Sequence, residues 1–319
     1  MTSTIDETTT IAAGDARPVL TYHPVVLDVP GRRVPLMLKV SAPSGGGDLP
    51  VLLLSHGHGA SVFLSSLHGY GPLSNYFASE GFVVVQPTHL DSGTLGLREA
   101  DDPDAPLYAR SRADDMRQVV ERLTDLEAVV PGLAGRVDHS RIAALGHSLG
   151  GLTTCMLLGA QVQDPVSGEM VDARIDRLAA GVVLAAPGNG DLAEWAASNY
   201  PWLRFCDFST MTTNALVVAG DEDLNPMFSE RLSYRWDAYI QSPAPKSLLM
   251  VHGAEHMLGG VSGYDAAETS DESPERVAAI REMALAYLRS ALFPADGSWQ
   301  KAVAASRATV ESGMTVEEK

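Results

Sequence analysis

The chain has 319 residues, of which 45% are hydrophobic and 20% charged, and carries a formal net charge of −17. That mix fits a soluble globular protein with one large or two modest domains and ample chain for a large core. The acidity disfavours nucleic acid and anionic membrane surfaces as partners, and no apolar run approaches the roughly 18 residues that would span a bilayer.

Residues 1–18 are polar and acidic and are expected to form a disordered arm. They show neither the basic start nor the apolar stretch of a secretion signal, so a cytoplasmic location is expected, or a secreted one if a signal has been removed. Tyr22 to Val29 and Val34 to Val40 are β-rich runs around Pro30-Gly31-Arg32-Arg33, a hairpin signal. Leu49 to Leu54 is apolar without alternation, as expected of a strand buried on both faces. The loop Ser55-His56-Gly57-His58-Gly59 follows. Pro72 to Ser79 reads as a helix, Phe82 to Val85 as a second buried strand, and Gln86 to Asp91 as the loop after it. Tyr108 to Val130 is the longest helical pattern, with Met116, Val119, Val120 and Leu123 on one stripe.

Ile142 to Leu145 is a further strand, and Leu149 to Leu158 the helix after it. Ala180 to Ala185, Asn214 to Ala219 and Lys246 to Val251 are strands, and Met227 to Trp236 is a helix. Ser273-Pro274-Glu275 opens a final helix with a capping serine and a first-turn proline. Residues 188–212 mix Trp195, Tyr200, Trp202, Phe205 and Phe208 with few regular signals and are expected to form a short lid. Residues 294–319 read as a polar tail. Strands alternating with helices imply one domain over residues 19–293, α/β in class, with a mainly parallel twisted sheet and helices on both faces. Ligands of such sheets bind at the carboxyl ends of the strands.

Between strand and helix, Gly146-His147-Ser148-Leu149-Gly150 fits G-x-S-x-G, the nucleophile elbow. A serine hydroxyl is almost never ionised at neutral pH, so Ser148 needs a base beside it. His256, in the loop after the last parallel strand, is the candidate. The orienting carboxylate lies in Gly220-Asp221-Glu222-Asp223, with Asp223, Asp221 and Glu222 as candidates. It would hold the imidazole tautomer and stabilise the imidazolium. The chain order, serine then acid then histidine, is that of α/β-hydrolases rather than of chymotrypsin or subtilisin.

From about residue 20 to 293 the chain resembles the α/β-hydrolase superfamily. Within it, Ser-His-Gly-His-Gly followed by Gly-His-Ser-Leu-Gly-Gly is similar to the branch of dienelactone hydrolases, platelet-activating-factor acetylhydrolases, chlorophyllases and cutinase-like polyester hydrolases. The resemblance implies an α/β-hydrolase fold, a catalytic triad of Ser148, Asp223 (the fourth residue of Gly-x-x-Asp) and His256, and an oxyanion hole from the backbone N–H groups of His58 and Leu149. It implies a serine esterase of the carboxylic ester hydrolase type, working without cofactor or metal on a small-molecule or lipid-like ester.

His58 and His89 are expected near the cleft, lining it rather than holding a metal, since no spaced ligand pattern accompanies them. Phe63, Leu64, Trp195, Trp202 and Phe208 are candidates for lid or wall, with Phe63, His89 and Trp202 placed in the substrate pocket. Ser148 argues against haloalkane dehalogenase and epoxide hydrolase chemistry, which use an aspartate nucleophile. A lactonase, thioesterase or acyltransferase could share the triad, and a catalytically silent binding protein could share the fold. The two cysteines, Cys155 and Cys206, allow one disulfide without requiring it.

Overall fold

Residue-by-residue apolarity decides the architecture. In a computed structural model describing residues 17–263, 266–308 and 313–319, the strand β1 (Val19–Leu27) pairs antiparallel with β2 (Leu36–Pro43), and β3 (Leu49–Ser55) is buried at every position. The chain continues through α1 (Gly71–Ser79), β4 (Val83–Pro87), α2 (Ala109–Glu121), α3 (Leu123–Val129), β5 (Val137–His147) and α4 (Leu149–Leu157). The short strands β6 (Gln161–Gln163) and β7 (Met170–Asp172) precede β8 (Leu178–Leu184). Then follow α5 (Glu194–Asn199), β9 (Cys206–Asp207), β10 (Asn214–Gly220), α6 (Asp237–Gln241), β11 (Lys246–Val251), α7 (Pro274–Leu292), α8 (Ser298–Ala308) and β12 (Met314–Glu318).

Among the described residues the main sheet runs β1-β2-β4-β3-β5-β8-β10-β11-β12. The stretch from β4 to β11 is parallel, and the antiparallel pairs lie at the two sides. Each central strand is apolar on both faces. Val51 and Leu53 of β3 face the core containing Met116, Val119 and Leu152, whereas Leu52 and Leu54 face the core containing Phe77, Val277 and Ile280. Helices α2 to α4 therefore cover one face and α1, α7 and α8 the other, the arrangement that a run of unbroken apolar strands requires.

The strand order places the site. From β3 the chain moves outward to β4, then returns past β3 to β5 and continues outward through β8, β10 and β11. The carboxyl ends of β3 and β5 flank this reversal, where a crevice opens in doubly wound sheets. Ser55-His56-Gly57-His58 leaves β3 there, and Ser148 leaves β5 beside it.

Three expectations are revised. The long helical pattern from Tyr108 to Val130 is broken at Arg122, which leaves helical geometry at φ −110°, and becomes α2 and α3. The pattern Met227 to Trp236 yields only a 3-10 turn at Leu232–Trp236 before α6. Residues 294–319, read as a polar tail, carry α8 and β12. Trp299, Val303 and Val316 bury their side chains against the α7 face, and β12 pairs antiparallel with β11 to finish the sheet edge. A few apolar residues spaced among charges suffice for an edge strand and a covering helix, and that is too sparse a pattern to stand out in sequence. Of the expected N-terminal arm over residues 1–18, residues 1–16 lie outside the described residues, whereas 17 and 18 are tied down: the Arg17 N–H donates to the Ser79 carbonyl (3.2 Å) and the Pro18 carbonyl accepts from the Ser44 N–H (2.8 Å). Cys155 and Cys206 are both buried and free. No helix among the described residues is long and apolar enough to cross a membrane.

Candidate active site

The turn between β5 and α4 holds Ser148 at φ 55° and ψ −121°, a left-handed conformation that costs free energy for any residue with a side chain. The surroundings enforce it. The Ser148 N–H donates to the Leu184 carbonyl at the end of β8 (2.9 Å). A Cβ at position 146 would overlap the Gly150 carbonyl, and one at position 150 would overlap the Ser55 carbonyl of β3. Glycine is therefore required at both places. Leu149 is the first residue of α4, so its backbone N–H has no intrahelical partner.

The structure brings Ser148, His256 and Asp223 together. Ser148 Oγ lies 2.9 Å from His256 Nε2, and His256 Nδ1 lies 2.8 Å from Asp223 Oδ2. An ionised Asp223 accepts from Nδ1–H, which leaves Nε2 to accept the serine proton. Burial alone would raise the Asp223 pKa, but His256 and then Arg235, whose Nε is 3.1 Å from Oδ1, outweigh it and hold the carboxyl below its usual range. Asp221 is elsewhere: it accepts from His252 Nδ1 and from the Gly253 N–H, each at 2.7 Å, near the surface. Glu222 has no bond to His256.

A second chain of hydrogen bonds ties the loop after β3 to the histidine loop. The Gly57 N–H donates to Tyr70 Oη (2.8 Å), and Tyr70 Oη lies 3.0 Å from His147 Nδ1. His147 Nε2 lies 2.8 Å from the His256 carbonyl. Only a neutral His147 can accept from Tyr70 while donating to that carbonyl. Burial, followed by the adjacent His256, lowers its pKa to about 3 and keeps it neutral. Tyr70 and His147 were not singled out from sequence, although His147 stands inside the elbow motif and Tyr70 heads α1.

Beneath the same loop lies a buried ion pair. Arg112 of α2 pairs with Asp91 and donates to the His56 carbonyl, to Thr153 Oγ1 (3.0 Å) and to Ser55 Oγ (3.3 Å). Both partners are fully buried. Burial opposes ionisation of Asp91, yet Arg112 prevails and its carboxyl sits well below the ordinary range. Removing one partner of such a pair leaves an uncompensated charge, so Arg112→Met is expected to cost about 3–5 kcal/mol in urea unfolding, and Arg112→Met with Asp91→Leu less than the single change. The sign of the pH effect follows. In the wild type the folded pKa of Asp91 is depressed, so its contribution is full above the unfolded value of about 3.9 and is lost as pH falls below it. Without Arg112, burial raises the folded pKa and protonation relieves the penalty. The stability gap between wild type and Arg112→Met should therefore narrow from pH 7 to pH 4.

The pocket over Ser148 has a volume of about 160 Å³ and is lined by His58, Leu107, Leu149, Pro187, Tyr200, Leu203, Asn225, Phe228, Arg235 and His256. Of the expected pocket residues, none of Phe63, His89 and Trp202 lines it. His89 is buried below the loop, bonded to Ser55 Oγ (3.0 Å) and Asp115 Oδ2 (2.9 Å). Trp202 is packed into the core at 1% exposure, and Phe63 lines a separate surface groove. The lid segment contributes Tyr200 and Leu203 instead. Tyr200 stacks on Phe228 with centroids 5.7 Å apart, and Trp195 meets both edge-on. Tyr200 was visible in the aromatic run; nothing in sequence distinguishes Leu203 or Leu107 from core leucines.

Fold and site together define an α/β hydrolase. The chain matches the alpha/beta hydrolase family over residues 51–311 and belongs to it. Among curated proteins, none matches it significantly.

Proposed function

We propose that this member of the family is a serine esterase that cleaves a carboxylic ester through an acyl-enzyme. The observation that carries the reading is the hydrogen-bonded line from Ser148 Oγ through His256 to Asp223, with both contacts under 3 Å. Nucleophile and base within hydrogen-bond reach, the base oriented by a third group, are the requirement for activating a serine.

In the proposed reaction Ser148 Oγ attacks the ester carbonyl as His256 Nε2 takes its proton. The carbonyl oxygen becomes an oxyanion, held by the backbone N–H groups of Leu149 and His58. Collapse expels the alcohol, which takes the proton from His256, and leaves the acyl group on Ser148. Water, deprotonated by His256, then attacks the acyl carbon, and the acid departs as Ser148 regains its proton. The Asp223 carboxylate stabilises the imidazolium in both halves. The elbow and the His-Gly-His-Gly loop support kinship with the branch of dienelactone hydrolases, platelet-activating-factor acetylhydrolases, chlorophyllases and cutinase-like enzymes.

The pocket is smaller than the roughly 300–1,000 Å³ of drug-sized sites, and its walls are mainly apolar. Short acyl groups are the expected substrates. The test is hydrolysis of p-nitrophenyl esters from acetate to palmitate, with fluorophosphonate labelling followed by peptide mapping. Turnover favouring acetate to butyrate and a label on Ser148 are expected. A folded protein inert to every ester, with Ser148 unlabelled, would overturn the reading.

A further inference from the structure

We propose that His58 is a specificity-determining residue whose ring nitrogen Nε2 accepts a hydrogen bond from a hydroxyl on the substrate's acyl chain, an inference that rests on the ester-hydrolase reading above. His58 lines the pocket with Ser148 and His256. Its Nδ1 lies 2.9 Å from Asp91 Oδ2, and the other Asp91 oxygen pairs with Arg112. A carboxylate held ionised by an arginine can only accept, so the Nδ1 of His58 carries the proton. With Nδ1 engaged by Asp91, Nε2 is the ring nitrogen left for a ligand, and the described residues offer it no protein partner. Tyr200 packs edge-on against the ring at 5.7 Å and limits its rotation.

Anchoring the loop does not call for this nitrogen. Arg112 already holds the His56 carbonyl, and Arg98 holds the Gly59 and Asp91 carbonyls, both at 2.7 Å. What the imidazole adds is an oriented ring nitrogen beside the apolar side chains of Leu107, Leu149, Pro187, Leu203 and Phe228, in a wall that also holds the polar groups of Tyr200, Asn225 and Arg235. A plain acyl chain would cover that nitrogen and leave it unpaired, whereas a hydroxyacyl chain would satisfy it. A net hydrogen bond of ordinary strength corresponds to about tenfold in kcat/KM.

The experiment compares two matched pairs in a pH-stat: ethyl lactate with ethyl propionate, and ethyl 3-hydroxybutyrate with ethyl butyrate. The quantity read is the hydroxy-to-deoxy ratio of kcat/KM in wild type and in His58→Phe, which keeps an aromatic ring against Tyr200. Because a general loss of activity divides out, only a change in discrimination moves the ratio. In at least one pair the wild-type ratio should exceed the variant's by about tenfold. Equal ratios in both pairs would overturn the assignment while leaving the esterase reading intact. Inertness of wild type toward these esters and the p-nitrophenyl series would remove both. Should His58→Phe fail to fold, inhibition of the wild type by 3-hydroxybutyramide and lactamide against butyramide and propionamide gives the same comparison. A Ki about tenfold lower for at least one hydroxyamide supports the assignment, and equal values in both pairs overturn it.

Discussion

Ser148→Ala and His256→Ala should each lower kcat for p-nitrophenyl butyrate by about 10⁵–10⁶, and the double variant should be no slower than either single one. The equality follows from the roles proposed for the two groups. Without His256 the Ser148 hydroxyl keeps its proton, and without Ser148 the imidazole has no nucleophile to activate. Either loss therefore removes the whole covalent route. The variants should still accelerate hydrolysis by about 10³ over water, because the backbone donors and the pocket remain. Both should fold. Alanine is smaller than serine at the elbow, and its strained φ is imposed by the Leu184 contact and the neighbouring glycines rather than by the hydroxyl. Circular dichroism and single-turnover kinetics check this. Clearly additive losses would mean that serine and histidine act in separate steps.

The parts legible in sequence share a physical cause. A short apolar run such as Leu49 to Leu54, bounded by the glycine turn before it and the His-Gly loop after it, suits a central strand, and the glycines at 146 and 150 stand where no side chain fits. The backbone thus wrote the elbow and the chain order of the proposed triad into short local patterns. The pocket wall left no such trace. Leu107 and Leu203 reach it from distant segments, and the same residue types fill the core elsewhere. His89 misled because it follows a strand at the correct sheet edge. Asp115, seen only once α2 is docked, draws it under the loop instead. Burial and then Arg112 lower the pKa of His89, so it stays neutral below the site. His58 and His89 look alike in sequence, and only their carboxylate partners separate a pocket residue from a buried one.

The choice between Asp223 and Asp221, open in sequence, yields the second large effect. Asp223→Asn should lower kcat by about 10⁴, while Asp221→Asn should stay within about twofold of wild type. Asp223 Oδ1 faces the Nε of Arg235, a donor at 3.1 Å that accepts nothing. In Asp223→Asn the amide carbonyl must face Arg235, which turns the amide NH₂ toward His256 Nδ1. The imidazole then accepts at Nδ1 and carries its proton on Nε2, so it donates toward Ser148 and cannot act as a base. Raising the pH does not cure a wrong tautomer, so the loss should persist up to pH 9. Asp221 pairs with His252 where both side chains are more than a third exposed, and such pairs contribute little. Comparable losses in the two variants would remove Asp223 from its role. A deficit in Asp223→Asn that disappears at high pH would show that its carboxylate acts through charge alone and not by fixing the tautomer of His256.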